Sequence, residues 1–328
     1  MKRIVVLAND DGSEGEGNSA DVAEVLESSD LIAGALQASG QYETRRELVK
    51  NLADVRRILD EARPDGVFNL VESLHQDTAF ESAVAFIMER RGIPFTGSSS
   101  STLRHCLDKG HSTFMLRKAG VPVPRTEIWR HVKSGQGIPL PAIVKPLRTD
   151  ASIGITRNAV ARDLPSLRTR AGEVIEQFGG AALIQSFVDG REINVGILGN
   201  DPPAVLPLRE IDFSKFPAGL PKVVTYDAKW TPDSPEYDGT SSVVAALSPD
   251  EQRRIANTAL SAFLSLSMRD YGRIDIRVDA TGCPFVIDLN ANCDLNPDAG
   301  FMRSCELLGM EHQAVVCRIM EMALARRT

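Results

Sequence analysis

Polar and apolar residues alternate through residues 271–290 with the period of two that a β-strand imposes. A turn at Thr281-Gly282 divides this stretch into the two strands of a predicted hairpin. One face of the hairpin is apolar and carries these side chains: Ile274, Ile276, Val278, Phe285, Ile287 and Leu289. The pattern predicts a hairpin that packs on a core through this face.

The opposite face of the predicted hairpin gathers charged and amide groups. With the turn centred on Thr281-Gly282, Asp275 lies opposite Asp288, and Arg273 lies opposite Asn290. Like charges directly across a strand pair repel each other. A divalent cation such as Mg²⁺, which prefers hard oxygen ligands, makes this arrangement favourable. The hairpin is therefore a candidate metal site, and the alternative interpretation is a solvated charged face.

Strand and helix patterns alternate through the first hundred residues, as in an open α/β layer. The predicted elements are strand Ile4–Ala8, a helix through Val22 to Leu36, a helix after the capping-box pattern Thr44–Glu47, strand Val67–Val71 and helix Phe80–Arg91. A polar seam at Ser98–Ser101 marks the first domain boundary.

The remainder of the chain divides into two further units. The predicted elements are strand Pro141–Pro146, helix Leu164–Phe178, strands Ala182–Ser186, Glu192–Leu198 and Ala204–Leu208, a helix from the capping box Ser248–Glu251 to Arg269, and a last helix from Glu311. Between them, Asp212–Thr240 is predicted to be irregular, and a segment of that length without regular structure is more often functional than structural.

Length and composition narrow the class of protein. The 328 residues, 43% of them hydrophobic, can form two or three globular domains. A formal net charge of −7 argues against a general nucleic-acid-binding role. No apolar run reaches membrane-spanning length, and the N-terminal run is too short for a signal peptide. Five cysteines, odd in number and without zinc-ligand spacing, favour a reducing cytoplasm.

Several segments upstream of the hairpin carry groups that suit phosphate and nucleotide binding. Lys109 and Lys145 are candidate phosphate ligands, although either alone is typical of a surface lysine. The small polar loop Arg148–Gly154 can turn backbone N–H groups toward phosphates. The strand edge Gln185–Glu192 can offer backbone groups to a flat heterocycle, and the competing interpretation is a plain turn at Asp189-Gly190.

In this order, the segments resemble the ATP-grasp superfamily and, within it, the D-alanine–D-alanine ligase-like branch. The resemblance covers nearly the whole chain and is carried by Gly92–Gly97, Leu107–Lys109, Ala119–Pro124, Ile143–Pro146, Gly190–Glu192, Tyr226–Lys229, Gly272–Asp275 and Ile287–Asn290. It implies an α/β protein of three domains: an N-terminal open parallel α/β domain (1–103), a central lid subdomain (104–187) and a C-terminal catalytic subdomain (188–328).

The resemblance also implies site residues. Lys109, Lys145, Thr149, Ser152 and Gly154 would hold ATP phosphates; Gln185, Ser186 and Val188 would hold adenine; and Glu192 would hold the ribose. Asp275, Asp288 and Asn290 would ligate two Mg²⁺ ions, for which Mn²⁺ can substitute, with Asp288 bridging them. Arg273, Lys229 and Ser152 would be catalytic.

The implied reaction joins a small-molecule carboxylate to an amine. The γ-phosphoryl group of ATP activates the carboxylate as an acyl phosphate, and the amine then displaces phosphate. Metal ions neutralise charge on the transferred group, and Arg273 stabilises the developing oxyanion. The resemblance implies a cytoplasmic enzyme, a homodimer, with no nucleic-acid or membrane partner.

The chain departs from the family pattern mostly in the substrate regions. Glu72 replaces a histidine, and the segment Asn292–Gly300 replaces a Pro-Gly-containing one. Ala151 replaces the first of two loop serines, Trp230 a tyrosine, Asp288 a glutamate and Gln185 a glutamate. These differences predict a dipeptide or peptide-like product from substrates other than two D-alanines.

The substrate residues predicted from these departures are mainly acidic. They are Glu14, Glu72, Asp77 and Asn296, with Asp10, Asp11 and Glu16 as further acidic residues of the N-terminal loop. Such a group can receive a cationic amine, and the competing interpretation is a solvated acidic loop. Two other functions stay open: D-alanine–D-alanine ligase itself, and a nucleotide-binding protein without ligase activity.

Overall fold

A computed structural model describes residues 1–10, 19–132 and 137–326. Within these residues the strands form three separate sheets, one in each third of the chain. Helices cover the sheets, so the predicted α/β class is confirmed. No helix in the described part of the chain is both long and apolar enough to span a bilayer.

The first sheet belongs to the N-terminal third. Its strands are β1 (Lys2–Asn9), β2 (Tyr42–Val49) and β3 (Gly66–Leu70), and its helices are α1 (Ser19–Ala38), α2 (Leu52–Ala62) and α3 (Ala79–Arg91). The strand order is β2-β1-β3, and all pairs are parallel. Ile4 and Val6 face one core cluster while Val5 and Leu7 face another, so β1 is buried on both sides, as parallel strands usually are.

The capping-box prediction at Thr44–Glu47 is wrong. These residues lie in the middle of β2, an edge strand whose exposed side chains are polar, as edge strands require. Helix α2 begins only at Leu52, where the Asn51 side chain accepts hydrogen bonds from the N–H groups of Ala53 and Asp54 at 2.9 and 3.0 Å. Thr44 and Glu47 are polar residues of an edge strand that happen to have the three-residue spacing of a capping box.

The second sheet lies in the central third. Its elements are α4 (Ser100–Leu107), α5 (Lys109–Lys118), β4 (Thr126–Trp129), β5 (Ala142–Pro146), β6 (Val160–Ala161), α6 (Leu164–Gln177) and β7 (Ala182–Ser186). The strands run antiparallel in the order β4-β7-β5-β6. Leu167 and Val174 of α6 pack on Val144 and Ile184 of the sheet, which fixes the strand that ends in Lys145.

The third sheet lies in the C-terminal third. Its strands are β8 (Gly190–Leu198), β9 (Ala204–Val205), β10 (Arg209–Asp212), β11 (Ser241–Val244), β12 (Tyr271–Asp279) and β13 (Pro284–Asn290). Its helices are α7 (Tyr226–Trp230), α8 (Pro235–Asp238), α9 (Pro249–Ser265), α10 (Gly300–Glu306) and α11 (His312–Ala325). The main path is β11-β10-β8-β12-β13, with β9 on β8.

Two sequence predictions in this third differ from the structure in extent. The predicted strand Ala204–Leu208 is only the short β9, and Asp212–Thr240 contains the short helices α7 and α8 instead of being wholly irregular. The capping box Ser248–Glu251 is confirmed, since Ser248 and Glu251 bond each other's backbone N–H groups. Helix α9 ends at Ser265, before the predicted Arg269.

The hairpin register is confirmed and carries one irregularity. Arg273 pairs with Asn290 and Asp275 with Asp288, as the alternation predicts. A bulge after Asp275 then shifts the pairing, so that the core receives Val286, which is only 2% exposed. Ile287, predicted on the apolar face, instead lines a cavity on the polar side.

The core does not stop at the predicted domain boundaries. One apolar cluster combines Val67 and Leu103 from the N-terminal part with Ile193 and Ile274 from the C-terminal sheet. Asp270 accepts a hydrogen bond from the Gly97 N–H at 2.8 Å across the same junction. The division at 103 and 187 therefore stays a prediction, and the C-terminal sheet rests directly on the N-terminal part.

Candidate active site

A cavity of ≈ 270 Å³ opens where the central and C-terminal sheets meet. The predicted site residues that line it are Lys145, Ser152, Gln185, Ser186, Val188, Glu192, Lys229, Arg273, Asp275, Asp288 and Asn290. They come from strands β5, β7, β8, β12 and β13 and from the two loops that cover them. The structure thus brings together side chains that lie up to 145 residues apart in the sequence.

Asp275 is the most heavily hydrogen-bonded carboxylate of the cavity. Arg273 donates to it through Nε at 2.7 Å and Nη2 at 3.0 Å, and Asn290 Nδ2 donates at 3.1 Å. Asn194, which lies opposite Asp275 on β8, donates at 2.8 Å. Sequence reasoning missed Asn194, although its strand position two residues after Glu192 places it on the same face.

Asp288 is held by the buried Lys109. Lys109 Nζ lies 2.8 Å from Asp288 Oδ1 and 3.3 Å from Asp150 Oδ1. Burial alone would lower the pKa of Lys109, but Asp288 and Asp150 reverse this effect and hold the pKa above its usual value. Burial would likewise raise the pKa of Asp288, but Lys109 and Lys145 lower it overall. Both groups are therefore charged at neutral pH.

Lys145 closes the buried strand β5 beside the same hairpin. Its Nζ donates to the Ile287 carbonyl oxygen at 3.4 Å. Burial lowers the pKa of this ammonium, an effect that Asp288 only partly opposes. A buried ammonium with one weak acceptor among the described residues is well suited to an anionic ligand.

Asp275, Asp288 and Asn290 of the hairpin can hold a hard divalent cation only if a bound phosphate ligand and water complete its coordination shell. They offer two carboxylates and one amide oxygen, and no cluster of three His, Cys, Asp or Glu side chains placed for a metal occurs among the described residues. Mg²⁺ commonly takes one or two carboxylates and completes its shell with phosphate oxygens and water. Arg273 and Lys109 already offset the repulsion between Asp275 and Asp288, so the repulsion alone does not require a metal.

The loop after β5 contacts a second segment of the cavity wall, residues 222–230, which we call the covering segment. Ala151 and Ser152 adopt φ of 54° and 61°, and a Cβ on Gly154 (φ 76°) would lie 2.6 Å from Pro146. Ser152 Oγ donates to the Val224 carbonyl at 3.1 Å. Trp230 Nε1 donates to the Ala151 carbonyl at 2.9 Å. The loop and the segment around α7 therefore close one wall of the cavity together.

Not every predicted residue of this loop faces the cavity. Thr149 Oγ1 donates to the Ile153 carbonyl within the loop at 3.1 Å, and Thr149, Gly154 and the buried Lys109 are not part of the cavity lining formed by the described residues. Lys229 lines the cavity, with its ammonium 4.2 Å from the centre of the Trp230 ring. Thr149 and Gly154 thus shape the loop, while Ser152 and Lys229 point to the cavity.

One end of the cavity is lined by apolar side chains. Ile143, Phe187 and Val223 form a small hydrophobic cluster there. Gln185 directs its amide to Thr126 Oγ1 at 3.2 Å on the neighbouring strand, so it offers backbone rather than side chain to a ligand. Glu192 is buried, and Arg277 forms an ion pair with it at 2.9 Å. Arg277 was not predicted as a site residue, although the period of two places it on the face of Arg273 and Asp275.

The predicted substrate residues do not join this cavity. Glu72 and Asp77 are exposed, and Asp77 Oδ1 accepts from the Ala79 N–H at 2.9 Å, which makes it a cap for α3. Asn296 is 6% exposed, and its Oδ1 has no hydrogen-bond partner within the described residues. Glu14, with Asp11 and Glu16, lies outside the described residues.

Two acidic residues near Glu72 were not predicted. Burial raises the pKa of Glu81, in the first turn of α3, well above its usual value, and the charges of Asp150 and Glu72 raise it further. Burial also raises the pKa of Asp150, against the effect of Lys109. The charges of Asp150, in the loop after β5, and of Glu72 therefore both act on Glu81.

Three comparisons with known proteins agree with this geometry. Residues 111–321 match the family model described as D-ala D-ala ligase C-terminus. An uncharacterized protein of Sinorhizobium fredii is 28% identical over 305 residues, which cover 90% of this chain and 87% of that protein. A D-alanine–D-alanine ligase of Methylacidiphilum infernorum is 30% identical over 257 residues, 77% of this chain and 78% of that one.

The solved structures show the same fold. The D-alanine–D-alanine ligase of Bacillus anthracis, complexed with ATP, superposes with a TM-score of 0.75 over 99% of this chain and 98% of that one, at 19% identity. A second crystal structure of the Bacillus anthracis enzyme gives a TM-score of 0.76 over 99% of this chain and 97% of that one, at 20% identity. The ATP-grasp fold predicted by the resemblance is confirmed.

Proposed function

The chain belongs to the D-alanine–D-alanine ligase family of ATP-grasp ligases, which form C–N bonds, and we propose that it joins a carboxylate and an amine other than two D-alanines. The observation that carries the proposal is the cavity that unites Lys145, Arg273, Asp275 and Asp288. It combines cations for phosphates with carboxylates for a metal. The departures at Glu72 and Asn292–Gly300 lie outside this cavity and support different substrates, whereas Ala151, Gln185 and Asp288 depart from the family pattern within it.

In this proposal the nucleotide lies along the whole length of the cavity. Adenine lies against Phe187 and Val223, the ribose hydroxyls bond Glu192, and the phosphates reach Lys145 and the N–H groups of the loop that contains Ser152. Lys109, which holds Asp288 and Asp150, reaches the phosphates from the side. Asp275, Asp288 and Asn290 would hold Mg²⁺, which would neutralise charge on the transferred phosphoryl group.

The reaction then proceeds in two balanced steps. An oxygen of the substrate carboxylate attacks the γ-phosphorus, the bond to the β–γ bridging oxygen breaks, and ADP leaves with that oxygen. The amine attacks the acyl carbonyl, loses a proton, and the carbon–oxygen bond to phosphate breaks. Arg273, fixed by two bonds to Asp275, is rigidly placed to stabilise the negative charge that develops on the carbonyl oxygen.

The substrate end supports a substrate other than D-alanine. Glu72 stands where the family resemblance expects a histidine, and the charges of Glu72 and Asp150 both raise the pKa of Glu81. A site with this excess of acid favours an amine substrate that carries additional positive charge. The homodimer implied by the resemblance belongs to the same proposal, and light scattering of the purified protein tests it.

A second candidate, D-alanine–D-alanine ligase itself, is favoured by the relatives that bear this name. A growth test and a turnover assay distinguish this candidate from the main proposal. Restoration of growth in a cell that lacks its own D-alanine–D-alanine ligase supports this candidate. Failure of growth, together with turnover of another substrate pair in vitro, supports the main proposal.

The direct test is ADP release from Mg-ATP with a panel of amino acids and amines, with reactions lacking the amine as controls. For the pair with the highest rate, a carboxylate labelled with ¹⁸O is expected to pass one labelled oxygen to the released phosphate, because the acyl phosphate forms through that oxygen. Calorimetry that shows Mg-ATP binding without ADP formation on the whole panel would instead indicate a nucleotide-binding protein without ligase activity.

A further inference from the structure

Arg277 is a buried arginine at the nucleotide end of the cavity. It lies on β12 and is 3% exposed, although it lines the cavity. Its guanidinium centre lies 5.2 Å from the centre of the Phe187 ring and 5.8 Å from that of Phe213. Two aromatic rings therefore fix the plane of the guanidinium group in addition to its hydrogen bonds.

The guanidinium contacts two separate segments of the chain, Val188–Glu192 and the segment that contains Lys222. Nη1 donates to the Gly190 carbonyl at 3.2 Å and makes a longer contact of 3.5 Å with the Val188 carbonyl, both in or beside the linker from β7 to β8. Nη2 pairs with Glu192 Oε2 at 2.9 Å on β8 and donates to the Lys222 carbonyl of the covering segment. A rigid five-donor group is needed to reach so many acceptors at once.

Glu192 depends on this arrangement. It is 7% exposed, and a carboxylate this deeply buried needs a charged partner to stay ionised. Burial raises the pKa of Glu192, and Arg277 is the largest charge that opposes this effect. A carboxylate has about four acceptor positions, so one ion pair leaves others that can face a ligand hydroxyl.

We propose that Arg277 is a positioning residue for the nucleotide, which fixes the Glu192 carboxylate toward the ribose hydroxyls and ties the covering segment at Lys222 to the linker. The proposal rests on the proposed ATP site. Arg277 itself makes no bond to the nucleotide and acts through Glu192 and the linker carbonyls. Discrimination for the ribose hydroxyls therefore depends on a residue that does not touch them.

Calorimetric affinities for Mg-ATP and for Mg-2′,3′-dideoxy-ATP test this proposal without knowledge of the substrates. The wild type is expected to bind the dideoxy nucleotide about tenfold more weakly, the usual effect of a lost hydrogen bond to a charged group. Arg277→Lys keeps a positive charge but loses the planar set of N–H donors that contacts several acceptors at once. It is expected to bind Mg-ATP about tenfold more weakly while Mg-dideoxy-ATP changes little, so that the ratio of the two affinities approaches one.

Arg191→Lys is the matched control. Arg191 forms a bidentate pair with Glu210 at 2.8 and 2.6 Å in the same sheet, and neither residue lines the cavity formed by the described residues. Loss of the bidentate Arg191–Glu210 pair is expected to leave the ratio of the two nucleotide affinities at its wild-type value. A ratio that falls equally in both variants would overturn the proposal, since general loosening of the sheet would then explain the effect.

A folded Arg277→Lys variant with the wild-type ratio would also overturn it. Glu192→Gln gives a second route, because it keeps Arg277 in place and removes only the charge of the acceptor. The ratio is expected to fall toward one here too, and Arg277→Lys is expected to add little in the double variant. An additive effect would contradict action through Glu192. Failure of the wild type to bind Mg-ATP would contradict the proposed function instead.

Discussion

The two ends of the active-site region are built in different ways. At the proposed nucleotide end, three ion pairs lie on regular strands or helices: Arg273 with Asp275, Lys109 with Asp288, and Arg277 with Glu192. At the substrate end, Glu72 is exposed, and burial and neighbouring acids raise the pKa of Glu81. Opposite charges compensate one another at the first end, while acidic groups accumulate at the second.

Departures from the family pattern occur at both ends, since Glu72 lies at the proposed substrate end while Gln185 and Asp288 line the cavity. Lys109 with Asp288 and Arg277 with Glu192 join different segments, so loss of one partner leaves a buried charge with less compensation, which is costly. Glu72 and Asn296 lie outside the regular strands and helices. We therefore expect a change of substrate to involve these loop residues more than the paired charges of the cavity.

The largest expected effect is at Asp288. Asp288→Ala removes a carboxylate of the proposed metal site and the partner of Lys109, so turnover is expected to fall about a thousandfold. The fold should persist, because Asp288 lines the cavity and the buried Lys109 keeps Asp150 as a partner. Asp279→Asn, at the other end of the hairpin, keeps an acceptor for the turn at Thr281 and should retain full activity. Activity that survives in Asp288→Ala would make the metal assignment wrong.

The next effect concerns the substrate end. Glu72→Gln is expected to lower kcat/KM for the amine substrate about tenfold and to leave the KM for ATP unchanged, since a charged contact to the amine is lost. Asp77→Asn is the matched control on the same loop, because Asp77 caps α3 and asparagine can keep that bond. Equal losses in the two variants would remove Glu72 from the substrate site.

A smaller effect on kcat is expected at the cavity wall that the loop after β5 and the segment around α7 form together. Trp230→Phe removes the hydrogen bond to the Ala151 carbonyl, and a neutral bond of this kind is worth about a two- to tenfold change in kcat. Trp129 is the other tryptophan of the chain, and it bonds Glu127 inside the central subdomain. Trp129→Phe should retain kcat and leave Trp230 emission as a reporter of Mg-ATP binding. A wild-type kcat in Trp230→Phe would show that the closed wall is not needed.

The smallest effect is on stability at Glu81. Its pKa is raised in the folded state, so the folded protein binds the proton more tightly, and stability falls as the pH rises above the unfolded value of 4.5 toward the folded pKa. Glu81→Gln should therefore match the wild-type Tm near pH 4 and exceed it by roughly 2 °C at pH 7. Thermal melts across this range test the sign, and a Tm difference that is independent of pH would contradict the burial of this charge.

The contrast between the two ends also decides what the sequence could predict. The pairing of Asp275 with Asp288 follows from a period of two and a turn, which together set the register of a hairpin. The bulge that turns Ile287 into the cavity leaves no comparable mark, because Val286 and Ile287 are both aliphatic. The Arg277–Glu192 pair joins strands β12 and β8, and no local pattern specifies which side chains meet across strands so distant in sequence.

The substrate end was the least predictable for a related reason. Its residues come from loops and from the start of α3, where contacts depend on how the N-terminal part sits against the phosphate loop. Asp77 was predicted as a substrate ligand because it is acidic, and in the structure its Oδ1 accepts from the Ala79 N–H at the start of α3. Glu81 was overlooked because a glutamate in the first turn of a helix is ordinary.

The central claim is that a retained nucleotide end serves a changed substrate end, and ADP release with a substrate panel that includes D-alanine tests it most directly. We expect at least one other carboxylate–amine pair to give ADP and an amide product with a kcat/KM at least about tenfold above that of D-alanine, which corresponds to about 1.4 kcal/mol of discrimination. Robust turnover of D-alanine alone, with no other pair more active, would contradict the account.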